Sequence, residues 1–295
     1  MKISAQGSAR MQAHVKSPRV AGFTLIEMSI VLVIIGLVVG GVLVGQDLIR
    51  AAYVRATISQ IEKYNTAVNT FYGKYQALPG DLNQSTATTF GFSARGALPG
   101  EGDGNGIIQC YFVTMARGII EANGEEGMFW VDISSSTAGD LIEGNFSTAS
   151  FTLLSPASAS GTIINQYFPE AKLGGGNYIV VWSGGSNEAG NPDGRNYFGL
   201  SRISQIISGV ALQTSGLTVG QAYNIDRKMD DGLPTSGRVS AMLHGNFWDG
   251  VPSLPIATTT TTCYDNGNNA ANPTIYTMSQ NNGAFLNCVL SFLFQ

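Results

Sequence analysis

Gly22-Phe23-Thr24-Leu25-Ile26-Glu27 opens an apolar run that continues through Val44 with Glu27 as its only charged residue. From Phe23 to Val44 the run holds 22 residues. As a helix it measures about 33 Å, enough to cross the hydrocarbon core of a bilayer once. An acid inside such a run is costly, about 2.5–3.5 kcal/mol at a helix centre on insertion scales. Glu27 is therefore either an acid tolerated at the membrane interface or a pairing group between neighbouring helices. A new amino terminus at Phe23 would favour the second. A carboxylate and an ammonium each cost several kcal/mol to desolvate alone, whereas facing each other across adjacent helices they offset much of that cost and set axial register.

Residues 1–22 carry Lys2, Arg10, Lys16 and Arg19 and no acid. A basic segment before an apolar run looks like a secretory signal, but such a signal is cut after its apolar region at a small-residue site. Here the small pair Ala21-Gly22 precedes the run, so the apolar segment survives processing. The positive-inside rule keeps the leader cytoplasmic and places everything beyond Val44 on the outer face.

The hexapeptide followed by an apolar stretch resembles the cleavage and methylation motif of type IV pilins and type II secretion pseudopilins. That resemblance implies cutting by a prepilin peptidase between Gly22 and Phe23 and N-methylation of the new Phe23 amine. It further implies a role for Glu27 in methylation and in docking to other subunits on an inner-membrane assembly platform. Gly36 with Gly40, and Gly41 with Gly45, make two overlapping small-xxx-small faces that admit close helix approach, or are glycines of the kind common in membrane helices.

Beyond the membrane segment the pattern becomes amphipathic. Ala51, Val54, Ile58, Ile61, Asn65, Val68, Tyr72 and Tyr75 alternate at spacings of three and four, one helical stripe, with Arg50, Arg55, Gln60, Glu62, Lys63 and Lys74 opposite. One helix from Phe23 to Tyr75 is expected, its outer half packed on the chain's own sheet and ended by Leu78-Pro79-Gly80-Asp81. Residues 83–106 read as a loop-rich connector closing on a glycine-rich turn at 100–106; Asp103 and Asn105 there lack the spacing of an EF-hand calcium loop.

Short alternating runs at 111–116, 151–154, 178–182, 197–200 and 238–243 read as strands, with a long hairpin connection between the third and fourth. Residues 125–133 favour a helix through an Asn123-x-x-Glu126 cap, and Thr218 with Gln221 forms a capping box for a helix carrying Ala222, Ile225 and Met229. Asp226, Asp230 and Asp231 read as a solvated helix end rather than a cation site. Residues 285–294 form a last apolar strand.

Composition narrows the function. Without the leader, 12 basic face 20 acidic side chains, a net of −8 that suits nucleic acid poorly. Cys110, Cys263 and Cys288 are too far apart for a metal knuckle. In an exported body Cys263 and Cys288 pair, closing a loop worth about 3–4 kcal/mol in the chain-entropy model. Cys110 is then a small buried hydrophobe or an intermolecular thiol. The body holds a single histidine, His244, and no nucleophile elbow, phosphate loop or His-Glu-x-x-His, so no enzyme, metal or cofactor is expected.

The expectation is an α+β, pilin-like chain: a leader (1–22), a transmembrane helix half (23–44), an amphipathic helix half (45–78) and an extracytoplasmic body (79–295). Its role is that of a structural subunit, single-pass in a bacterial inner membrane and in contact with lipid before it enters a type IV pilus or type II secretion pseudopilus. The large body favours a minor pilin or pseudopilin. The alternative is a membrane-tethered binding or adhesion module contacting a ligand through loops 187–196 and 265–272.

Overall fold

The computed structural model describes residues 22–96, 100–110, 120–146, 149–151, 156–183, 194–243, 263–265, 274–279 and 281–294. The chain divides into two compact units, residues 1–49 and 50–295. Helix α1 runs Leu25–Tyr75, 51 residues. Within the first unit every side chain from Phe23 to Val44 is exposed. The uniformly apolar sequence leaves no polar face to separate from a buried one.

The outer part of α1 belongs to the second unit and buries Val54, Thr57, Ile61, Tyr64, Ala67, Val68, Phe71 and Tyr75. The expected stripe is half right. Val54, Ile61, Val68 and Tyr75 face the core, but Ala51, Ile58 and Asn65 are only half-buried and Tyr72 is exposed. The helix is rotated so that Thr57, Tyr64 and Phe71 fill the second line instead. Two aromatic rings bury more apolar area than the residues they displace. Thr57 keeps its hydroxyl satisfied by donating to the Tyr53 carbonyl at 2.9 Å. Tyr64 meets Trp130 edge-on at 5.2 Å between ring centroids and Phe198 at 6.2 Å.

The helix stops before Leu78-Pro79, at Gln76, whose φ of 55° is left-handed. The glycine that follows is required by packing: at φ +82° a Cβ on Gly80 would lie 2.3 Å from the Glu125 carbonyl oxygen. The connector contains an unexpected short helix, α2 (Gln84–Phe90), with the Asn83 side chain accepting the Thr86 N–H at one end and left-handed Gly91 at the other. The glycine-rich turn is as expected, with Gly100, Gly102, Gly104 and Gly106 all at positive φ.

Helix α3 (Gly124–Ser134) forms where expected, yet the Asn123 side chain makes no cap hydrogen bond to it. Glu126 instead accepts the Glu121 N–H at 2.5 Å. The sheet comprises β1 (Ser158–Ser160), β2 (Asn177–Ser183), β3 (Asn196–Ile207), β4 (Val210–Thr214), β5 (Leu217–Thr218), β6 (Val239–Leu243) and β9 (Leu286–Leu293). Strand β3 pairs with β1, β2, β4 and β9, and β9 pairs with β5 and β6, every pair antiparallel. The C-terminal strand thus lies inside the sheet. Trp182 of β2 stacks on Tyr197 at 4.8 Å, and its indole N–H donates to the Ser291 hydroxyl at 2.9 Å, which satisfies its one polar atom.

Helix α4 (Val219–Met229) carries the full Thr218–Gln221 capping box. A small ribbon pairs β7 (Tyr264–Asp265) with β8 (Ile275–Tyr276). The described architecture is thus α+β, a long N-terminal helix whose outer part packs on an antiparallel body. Most of the leader, the strand expected at 111–116, residues 152–154, the loop at 184–193, His244 and most of 265–272 lie outside the described residues.

Candidate functional site

The N-terminus of α1 is built by Thr24, Glu27 and Met28. The Thr24 carbonyl accepts the Met28 N–H at 3.2 Å, the first intrahelical bond, which makes Thr24 the N-cap. Its hydroxyl and its backbone N–H both donate to Glu27 Oε2, each at 2.8 Å. The Glu27 N–H donates back to the Thr24 hydroxyl at 3.3 Å. This is a capping box, satisfying two otherwise orphaned N–H groups at the end of the apolar helix. Oε1 of Glu27 has no partner among the described residues. Phe23, the residue before Thr24, is 79% exposed.

The sequence leaves Glu27 either an acid tolerated at the membrane interface or a pairing group between helices, and the structure adds a partner in the same chain, Thr24. The Thr-x-x-Glu spacing at 24–27 was the signal for that partner. Downstream, Ser29 donates to the Ile26 carbonyl at 2.8 Å, so its hydroxyl is satisfied within the helix. A Cβ built on Gly36, Gly40, Gly41 or Gly45 meets no atom within 4 Å. The described fold of the chain itself therefore places no steric demand for glycine there. Among the described residues α1 is the one helix long and apolar enough to cross a membrane.

The body gathers acids that sequence spacing did not join. One carboxylate oxygen from each of Asp81, Asp103 and Glu125 lies within 4.8 Å of the other two. Asp81 accepts N–H groups of Gly104 and Gly106, each at 2.7 Å; Glu125 accepts those of Gly102 at 2.9 Å and Gln109 at 2.7 Å. Burial pushes the Asp81 carboxyl up to about 7 against those two donors, with Asp103 adding repulsion. Burial, then the Asp81 charge, holds Glu125 well above the usual carboxylate range. Beside them Arg95 spans both oxygens of buried Asp132 at 2.7 Å, and Asp132 also accepts the Gly80 N–H at 2.6 Å.

The second acidic group corrects an expectation. Asp226 is buried rather than solvated, and it accepts the Tyr276 hydroxyl at 2.7 Å and the Gly232 N–H at 3.1 Å. Burial raises its carboxyl to about 6 despite these donors. Asp230 accepts the Arg238 and Val239 N–H groups, and Asp231 accepts those of Leu233 and the Ser236 hydroxyl. Asp226 thus fastens the end of α4 to β8 and Asp230 fastens it to β6, while Asp231 holds the turn that follows the helix.

Cys263 and Cys288 have sulfurs 1.98 Å apart and Cα atoms 5.0 Å apart, the geometry of a disulfide. Cys288 pairs with both β5 and β6, so the bridge ties the β7–β8 ribbon to the middle of the sheet. Cys110 lies outside it and is half-buried.

No curated protein and no solved structure matches the chain. The family model described as the prokaryotic N-terminal methylation motif matches residues 17–43. That span contains Gly22, Phe23, Thr24 and Glu27 and most of the apolar run, so the chain carries the signature shared by type IV pilins and pseudopilins.

Proposed function

We propose that the chain is a structural, non-enzymatic subunit of a type IV pilus or type II secretion pseudopilus, serving as a minor rather than a major component. A prepilin peptidase removes residues 1–22 and the Phe23 amine is methylated. The chain then waits in the inner membrane, single-pass, with its body on the outer face. Assembly machinery draws it out of lipid and stacks its apolar helix against those of other subunits.

The methylation motif at 17–43 carries this proposal. Four further observations support it. The apolar helix is exposed along residues 23–44, so it needs lipid or other helices around it. Its glycines leave bare backbone where no atom of the same chain packs, which suits close approach by a second helix. Oε1 of Glu27 remains open for the Phe23 ammonium of a neighbour, a charge pair that fixes axial register. Cys263 and Cys288 form a bridge in the exported body.

Glu27→Ala tests the assembly role. The variant is expected to insert in the membrane at the wild-type level yet to be missing from sheared surface filaments or secretion complexes. Incorporation at the wild-type level would leave the chain a membrane-tethered binding module instead.

A further inference from the structure

We draw no further inference here: the strongest candidate, the carboxylate cluster of Asp81, Asp103 and Glu125 beneath the glycine-rich turn, carries nothing because these acids already accept the N–H groups of Gly102, Gly104, Asn105, Gly106 and Gln109 and no second feature among the described residues points to a ligand there.

Discussion

The Thr24 hydroxyl donates to Glu27 Oε2 at 2.8 Å while the Glu27 N–H donates to that same hydroxyl at 3.3 Å, closing a reciprocal cap at the start of the apolar helix. The geometry holds one carboxylate oxygen inside the chain and leaves the other outward. Thr24→Val keeps the shape and removes the hydroxyl. Loss of an N-cap costs about 0.5–2 kcal/mol, more where water cannot replace the bond. A several-fold drop in filament incorporation is expected, measured by quantitative blotting of sheared material, with Thr24→Ser restoring it. Equal incorporation of the valine and serine variants would show that the cap has no part in assembly.

Inside the body, the Arg95–Asp132 pair is a place where one substitution is costly. Both side chains are fully buried, and Asp132 also fixes the Gly80 N–H. Arg95→Met strands a buried carboxylate and is expected to destabilise the body by about 3–5 kcal/mol. The exposed Lys63–Glu143 pair at 3.1 Å supplies the control, since Lys63→Met should change stability by about 0–1 kcal/mol. Chemical denaturation followed by near-ultraviolet circular dichroism measures both.

Stability of the body should fall as pH rises from the acid side toward neutrality. Asp81 titrates near 7 in the folded chain against an ordinary value of 3.8, and Glu125 is raised as well. The folded state therefore holds protons that the unfolded state has released, so this contribution is complete below about pH 4 and is lost as pH passes through the folded value. A higher thermal midpoint at pH 5 than at pH 8 is expected. Asp81→Asn should lower the midpoint at pH 5 and narrow the difference between the two. An unchanged difference in the variant would remove Asp81 as its source.

Local signals in the sequence translated into structure where hydrogen bonds between near neighbours settled them. Thr218 and Gln221 lie three residues apart and cap α4 in both directions, as their spacing requires. The similar Asn123-x-x-Glu126 spacing fails because buried Glu126 is drawn to the Glu121 N–H instead, a competition set by tertiary packing. The stripe on α1 was legible in period but not in phase. A repeat of three and four residues fits two lines equally well until aromatic bulk, Tyr64 and Phe71 here, selects one.

The N-terminal site was legible because its residues are contiguous, from Gly22 to Glu27. The acids of the body were not, since Asp81, Asp103 and Glu125 meet only after the connector folds back over α3. No local periodicity encodes that return. Helix α2 was lost in a segment rich in Ser and Thr, although Asn83 and Gly91 mark its two ends with ordinary cap chemistry.

The central claim is that residues 1–22 are removed and that Phe23 becomes the methylated start of the mature chain. Mass spectrometry of the N-terminal peptide from membrane-purified protein tests it directly. The expected peptide begins at Phe23 and carries the mass of one added methyl group. A peptide that begins upstream of Phe23 in the wild-type protein would contradict the account.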